Sequence, residues 1–290
     1  MANTGQPRVM LWVVYRSCST AVLRSISQAD GGVYYYEPYA SALYEGPERV
    51  FPTGDVEEGA ALLPGAELAY SSSINTFSWV KETLQGEHKG ARFVFVKDTP
   101  HALKAAGRGW DTIPQGYQHT FLIRNPNKTV RSFKKAMYEY KPAGFMNEAG
   151  IKDWQDVQME TMGGHVQFIS ELYEYVTDNL DPNPFIMDAD DLIAYPDVVL
   201  RAYCRATGIP FSKKMIEWED NGQPPNAKWT ACQSHLPYFQ CAYHSNAMTS
   251  QGFSKSIQAK PSSAIDPNVA GIIEREMPFY NQLYAQRFIP

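Results

Sequence analysis

The strongest constraint on the fold is a run of six consecutive apolar residues, Val9 to Val14. The run has the length of a β-strand and lacks the alternation of a half-exposed strand, so it predicts a strand buried on both faces of a parallel sheet. A polar loop follows, and then Ala21–Ile26, whose apolar residues have helical spacing. The order strand, loop, helix is the first unit of an α/β architecture.

Two further apolar runs, Arg92–Val96 and His119–Ile123, predict strands that each end beside a cation, Lys97 and Arg124. A shorter strand is predicted over Pro184–Met187. Apolar periodicity predicts helices over Trp154–Val176, Asp190–Ile193, Val198–Cys204 and Val269–Phe288. Strands that alternate with helices predict a three-layer α/β sandwich with a central, mostly parallel sheet.

Two regions do not fit this alternation. Residues 44–66 are rich in Gly and Pro, and residues 220–266 show no period. Loops of this length in a compact domain are usually lids or binding segments, which is the role expected of both regions, with disorder as the alternative. The sequence contains no clear linker, which predicts a single domain over residues 1–290.

Composition restricts the partners of the chain. The formal net charge is -5, with 31 acidic and 26 basic residues. This balance gives no global basic field, so we expect no nucleic-acid partner, and any bound anion must be held locally. The four cysteines form no CxxC pair, which indicates neither a metal site nor a disulfide framework. No stretch approaches the roughly 20 apolar residues of a membrane span, and we expect a soluble, cytoplasmic protein.

The loop after the first predicted strand, Arg16-Ser-Cys-Ser-Thr20, has the position of an anion-binding loop. The carboxyl end of a parallel strand and the amino end of a helix offer free N–H groups and the positive end of the helix dipole. The loop lacks the GxxxxGK[ST] pattern of nucleoside-triphosphate binding, because no lysine precedes Thr20. The alternative is an ordinary turn capped by Ser17 or Ser19.

A second group of polar residues follows another predicted strand. Arg124 ends that strand, and Ser132 lies two turns into the helix that follows it. A guanidinium at a strand end and a hydroxyl on the next helix can converge on one phosphate, to which arginine can donate two parallel hydrogen bonds.

Together these motifs resemble the sulfotransferase family, which uses 3'-phosphoadenosine 5'-phosphosulfate as sulfuryl donor. Its members carry a loop of the type [R/K]-S-[G/x]-[S/T]-T after the first strand, and later a strand ending in R-N-P with a serine eight positions after the arginine. Arg16–Thr20, Arg124–Pro126 and Ser132 match these motifs in order and spacing. The resemblance implies a P-loop nucleotide-hydrolase-like fold and metal-free transfer of a sulfuryl group to a hydroxyl or amine of a small-molecule acceptor.

The resemblance also implies roles for particular residues. Arg16, Ser17, Cys18, Ser19 and Thr20 would hold the 5'-phosphosulfate, with Arg16 stabilising the charge of the leaving phosphate. Arg124 and Ser132 would bind the 3'-phosphate, and Lys255 in a late loop would close over it. Cys18 stands where glycine is usual in the family, and it is either a buried inert thiol or a reactive one.

The general base has several candidates. The family divides between a histidine after the strand that resembles Arg92–Val96 and a glutamate shortly after the first helix. Glu37 is followed by proline, matches the second group and is the first choice for the general base. The alternative is that Glu37 forms an ion pair, either one that orders its own loop or one with Arg16. The further candidates for the base are His101, Asp98, His235 and His244.

Two other functions stay open on the sequence. One is a divergent P-loop kinase or nucleotide hydrolase, against which the missing lysine argues. The other is a non-catalytic nucleotide-binding protein that has kept the fold. An aromatic content of 13% gives a mild preference for a hydrophobic or aromatic alcohol as acceptor. The sequence fixes neither the acceptor nor the oligomeric state.

Overall fold

A computed structural model describes residues 5–50, 69–139, 159–160, 162–218, 229–234, 245–253 and 266–290. Within these residues the strands are β1 (Arg8–Val13), β2 (Gly32–Tyr36), β3 (Phe93–Asp98), β4 (Gln118–Ile123), β5 (Ile186–Asp188) and β6 (Trp229–Thr230). They form one sheet in the order β5-β4-β1-β3-β2-β6, and all of its pairings are parallel. The predicted parallel α/β architecture is therefore confirmed.

Helices connect the strands and follow the last one. They are α1 (Ser19–Ile26), α2 (Pro38–Tyr44), α3 (Phe77–Gln85), α4 (His101–Ala105), α5 (Pro126–Glu139), α6 (His165–Asn179), α7 (Ala189–Ala194), α8 (Pro196–Thr207), α9 (Ser245–Thr249) and α10 (Pro267–Ala285). Short 3-10 helices cover Ser72–Ile74, Trp110–Thr112 and Lys213–Met215. Gly208, at a φ of 74°, follows α8 in the left-handed conformation that commonly ends a helix.

One predicted helix is wrong at its start. The periodicity over Trp154–Val176 predicts a helix through Gly164, but α6 begins only at His165. Gly164 has a φ of 122°, which a right-handed helix does not accommodate, and Met162 lies in a turn before it. Trp154 and Val157 lie outside the described residues.

Two strands have no clear signal in the sequence. β2 begins at Gly32, the second of two glycines, and ends in three tyrosines, and β6 has only two residues. The described parts of the predicted loop over residues 220–266 contain β6 and α9, so this region adds a strand to the sheet edge. Pro278 lies inside α10, as the periodicity of the last segment predicts.

The two faces of β1 explain the three layers. Val9, Leu11 and Val13 pack in one cluster with the apolar side of α1, and Met10 and Trp12 pack in a second cluster with residues of α3 and α6. The five side chains from Val9 to Val13 are each at most 1% exposed. Fully burying a side chain of this kind contributes about 1.5–3 kcal/mol, so the unbroken apolar run is what anchors the strand.

The position of β1 in the sheet determines where the site lies. β1 pairs with β3 on one side and with β4 on the other. The loop after β1 therefore lies between the residues that follow β3 and those that follow β4. In an open parallel sheet, this edge, where the carboxyl ends of the strands meet, is the usual place for a ligand.

Candidate functional site

The loop between β1 and α1 is a tight turn with a strained backbone. Arg16 and Cys18 have positive φ angles of 64° and 65°. A left-handed conformation costs a residue with a side chain about 1–2 kcal/mol. The buried Ser17 hydroxyl donates a hydrogen bond of 2.7 Å to the carbonyl oxygen of Val14, which holds the turn closed. Such strain is typical of ligand-binding loops.

The amino end of α1 lacks the side-chain cap that an ordinary turn would provide. Cys18 occupies the N-cap position without a side-chain hydrogen bond to the first turn, and Ser17 bonds backward to Val14 instead. The first turn contains no acidic residue. Because uncapped N–H groups and the helix dipole attract negative charge, this arrangement favours an anion over the capped-turn alternative.

The structure brings the two predicted anion-binding groups together. The Arg16 Nε atom donates a hydrogen bond of 3.1 Å to Ser132 Oγ, although the two residues are 116 positions apart. Arg124 Nη1 donates a hydrogen bond of 2.9 Å to the Arg16 carbonyl oxygen. The loop after β1, the end of β4 and the second turn of α5 therefore form one continuous polar surface.

Two charged residues without a sequence-based role extend this surface. Lys128 on α5 forms an ion pair of 2.8 Å with Asp190 in the first turn of α7. The other Asp190 oxygen lies 3.8 Å from Arg124 Nε. Lys128 lies one helical turn beyond the end of β4, a spacing that could have drawn attention to it. Asp190 has no comparable local signal.

The Cys18 side chain is half-buried, and its thiol is free. Burial raises the pKa of this thiol, an effect that the nearby guanidinium groups of Arg124 and Arg16 partly oppose. A thiol with a raised pKa stays protonated at neutral pH and is a poor nucleophile. The electrostatics of the site thus favour the inert thiol of the two alternatives.

Glu37 lies at the corresponding end of β2. It is 8% exposed, has a φ of 45° and precedes the first residue of α2. Its carboxylate forms a buried ion pair with Lys97 Nζ, and its backbone N–H donates to the Lys97 carbonyl oxygen at 2.8 Å. Lys97 also lies 4.6 Å from the centre of the Tyr36 ring. The ion-pair role considered for Glu37 is thus present, with Lys97 as partner.

Asp98 is fully buried beside this pair. Its carboxylate accepts backbone hydrogen bonds from Tyr39 at 2.6 Å, Ala40 at 3.2 Å and Thr99 at 2.8 Å. Burial, and then the negative charge of Glu37, raise the pKa of Asp98 to about 7. The Tyr39 and Ala40 donors place this carboxylate at the amino end of α2, where it holds the backbone next to Glu37.

His101 belongs to a buried aromatic cluster next to the loop that follows β1. Its ring lies 4.3 Å from that of His165, nearly parallel to it, and the Tyr15 ring lies 4.3 Å from His165. Neither nitrogen of His165, nor Nδ1 of His101, has a hydrogen-bond partner. Burial lowers the pKa of His101 to about 4, so the ring is neutral at physiological pH. Tyr15 directly precedes Arg16 and connects the cluster to the loop.

The other predicted site residues, Lys255, His235 and His244, lie outside the described residues. Among the residues that the structure describes, no group of three or more His, Cys, Asp or Glu side chains could hold a metal ion. Within the same part of the chain, no helix is both long and apolar enough to cross a membrane.

Comparison with known proteins gives a clear result for the fold. A sulfotransferase from Alicyclobacillus acidocaldarius has a similar structure, with a TM-score of 0.51, 13% identity, and coverage of 99% of this chain and 98% of that one. Together with the parallel sheet and its flanking helices, this similarity shows that the chain has the P-loop-like fold of the sulfotransferases, as predicted.

Sequence comparison finds relatives of a different description. The chain is 27% identical over 275 residues to branched-chain-amino-acid aminotransferase-like protein 2 of Arabidopsis thaliana, and 27% identical over 281 residues to protein 1 of the same name. The matches cover 94% of this chain but 40% of each relative. No family model matches the chain.

Proposed function

We propose that this protein is a sulfotransferase that moves a sulfuryl group from 3'-phosphoadenosine 5'-phosphosulfate to a hydroxyl or amine of a small molecule. The observation that carries the proposal is the chain of contacts from Ser132 to Arg16 and on to Arg124. It joins two anion-binding groups at the sheet edge where this fold has room for a ligand. A donor with phosphate groups at both the 3' and the 5' position of its ribose suits such a surface.

Different residues of this surface would bind different phosphate groups of the donor. Arg124 and Ser132 would bind the 3'-phosphate, for which a guanidinium and a hydroxyl are suitable donors. The 5'-phosphosulfate would lie over the strained loop and the uncapped end of α1, beside Arg16. These cations lie on an acidic protein, so binding depends on local charge rather than on the net charge.

The reaction would be an in-line displacement. The acceptor oxygen or nitrogen forms a bond to sulfur, the bond from sulfur to the 5'-phosphate oxygen breaks, and that oxygen keeps the electron pair. Arg16 and the N–H groups of the loop stabilise the charge that grows on the leaving phosphate. Removing one donor of this kind from a site that excludes water typically costs about 2.7–4 kcal/mol of transition-state stabilisation.

The acceptor must also lose a proton, and Glu37 is the proposed base. Its carboxylate is buried at the end of β2, two strands from β1, and Lys97 on the intervening strand holds it in place. His101 is the second candidate, because a neutral imidazole with a free Nδ1 atom can accept a proton. Asp98 is less suited, because three backbone N–H groups already occupy its oxygens.

The names of the sequence relatives suggest transamination, which we do not extend to this chain. The match spans two-fifths of each relative, so the activity in the name can belong to the other part. Among the alternatives with this fold, a kinase would require the phosphate-binding lysine, and Ser19 occupies that position. A non-catalytic protein would bind the nucleotide without transferring sulfate.

Nucleotide binding is the first test. Adenosine 3',5'-bisphosphate should raise the unfolding temperature, because a ligand that binds only the native state stabilises it by mass action. Adenosine 5'-phosphate should stabilise less, and Arg124→Ala should remove the difference between the two. Arg201→Ala is the matched control, since this exposed arginine pairs with Asp197 on α8. Equal stabilisation of the wild type by both nucleotides would refute the assignment of Arg124 and Ser132, and preferential binding of ATP with magnesium would support a kinase.

Turnover is the second test. Wild-type protein with labelled donor should sulfate at least one member of a panel of phenols, alcohols and amines. Glu37→Gln should retain binding of the bisphosphate and lower turnover about 10²-fold or more, the usual contribution of a positioned base. Unchanged turnover would exclude Glu37, and His101→Gln would then be the variant that loses activity. Bisphosphate binding without any transfer would favour the non-catalytic alternative.

A further inference from the structure

The proposed phosphate site contains a carboxylate among its cations. Asp190 bonds to Lys128 at 2.8 Å, while its other oxygen is 3.8 Å from Arg124 Nε. The longer distance exceeds that of a hydrogen bond, and this buried Nε donates none. The Arg124 guanidinium therefore interacts with Asp190 through charge alone, and its buried Nε has no hydrogen-bond partner.

We propose that Asp190 is a built-in counter-ion of the phosphate site, and that Lys128 holds it away from Arg124. The pair would then determine how tightly the site binds a nucleotide that carries a 3'-phosphate. This inference rests on the proposed function, because it takes Arg124 as the residue that receives that phosphate.

The charges explain why both residues matter. A phosphate monoester carries a charge of about -1.5 to -2 at neutral pH, so its approach to Arg124 brings it close to a like charge on Asp190. Lys128 neutralises that carboxylate and reduces the repulsion. Without Lys128, Asp190 is free to pair directly with Arg124 in the bidentate geometry that guanidinium and carboxylate groups favour, and it then competes with the phosphate.

A structural role explains this arrangement less well. The Lys128 and Asp190 side chains are 37% and 35% exposed, and an ion pair this exposed adds little to stability. The cap of α7 is another residue, Asp188, whose Oδ1 accepts hydrogen bonds from the backbone N–H groups of Asp190 at 2.8 Å and Asp191 at 3.3 Å. The Asp190 side chain can therefore be changed without removing the start of the helix.

The test is calorimetric titration with adenosine 3',5'-bisphosphate and with adenosine 5'-phosphate. Asp190→Asn should bind the bisphosphate about tenfold more tightly than the wild type, equivalent to about 1.4 kcal/mol. Lys128→Met should bind it about tenfold more weakly. Both variants should change the affinity for adenosine 5'-phosphate by less than about threefold, because the effect acts on the 3'-phosphate.

The neighbouring carboxylate supplies the control. Asp191 lies on the same helical turn but pairs with Arg287 at 2.7 Å, so Asp191→Asn removes the same charge and should leave bisphosphate affinity unchanged. Thermal unfolding without ligand will show that each variant folds. In a protein that already carries Asp190→Asn, Lys128→Met should weaken bisphosphate binding less than it does in the wild type, because no carboxylate is then present to pair with Arg124.

The possible failures are distinguishable. If the wild type binds the bisphosphate no more tightly than adenosine 5'-phosphate, the proposed function fails. If it does prefer the bisphosphate, but Asp190→Asn binds it no more tightly than the wild type, Asp190 is not a counter-ion of the site; weaker binding by Asp190→Asn would indicate that Asp190 contacts the ligand instead. Equal losses from Lys128→Met in both backgrounds would refute the part assigned to Lys128.

Discussion

His165 gives the sharpest prediction about stability. It is the first residue of α6 and is 2% exposed, and its ring stacks 4.3 Å from that of His101. Both of its ring nitrogens lack hydrogen-bond partners. Burial, and then the neighbouring His101, lower the pKa of His165 well below its ordinary value of 6.5. Replacing it with phenylalanine keeps an aromatic ring at this position and removes the titration.

The size of the effect follows from linkage. In the unfolded chain His165 takes up a proton below pH of about 6.5, whereas in the folded protein it stays neutral. At pH 5 protonation stabilises the unfolded state by about 2 kcal/mol, and at pH 8 by almost nothing. This histidine therefore makes the folded state less stable as the pH falls below about 6.5. Between pH 8 and pH 5, the free energy of unfolding of His165→Phe should therefore fall by about 2 kcal/mol less than that of the wild type.

Urea unfolding at the two pH values measures this difference. Comparing the two pH values within each protein cancels the packing cost of the larger ring, which is the same at both. Comparing the resulting pH-dependent loss of the wild type with that of His165→Phe then cancels the opposite contribution of Asp98, which is present in both proteins and makes the folded state less stable as the pH rises toward about 7. Phe168→Leu, in the same aromatic cluster, is the control and should shift stability equally at both values. If the free energy of unfolding of His165→Phe falls as much between pH 8 and pH 5 as that of the wild type, His165 does not stay neutral in the folded protein.

Two further predictions concern the charged pair and the strained loop. Lys97→Met should lower the free energy of unfolding at pH 7 by about 3–5 kcal/mol, because it removes the cation that forms an ion pair with the buried Glu37 carboxylate, while the double variant Lys97→Met, Glu37→Gln should lose clearly less. Equal losses in urea unfolding of the two variants would contradict a buried pair. Cys18→Gly should stabilise the protein by about 1 kcal/mol, because glycine adopts the φ of 65° without strain, whereas Cys18→Ala keeps the strain and should not. Thermal unfolding measures both, and a destabilised Cys18→Gly would count against strain at this position.

The part of the site that could be predicted lies close to strands with a strong local signal. The run over Val9–Val14 predicts β1, so the loop that follows it is recognisable as a candidate anion-binding loop. Arg124 and Ser132 are eight residues apart, and the strand and helix that carry them have clear periodicity. For such residues, position along the chain is enough to predict position at the sheet edge.

The rest of the site depends on contacts between distant segments. Glu37 and Lys97 are 60 positions apart, and Lys128 and Asp190 are 62 positions apart. Glu37 and Lys97 meet because β2 pairs with β3 in the sheet. Lys128 and Asp190 meet because α5 lies next to the start of α7. No local pattern indicates a partner at that separation, and the same is true of the stacked rings of His101 and His165.

The sequence by itself determined the parallel α/β fold, because unbroken apolar runs of strand length are stable only where a sheet is covered on both faces. It also determined that the side chains proposed to bind an anion follow β1 and β4. Only the tertiary structure decided that Arg16, Ser132 and Arg124 share one surface, that Lys97 pairs with Glu37, and that a carboxylate lies beside the cations. The physical reason is that strand order in the sheet, which side-chain packing selects, decides which charges become neighbours.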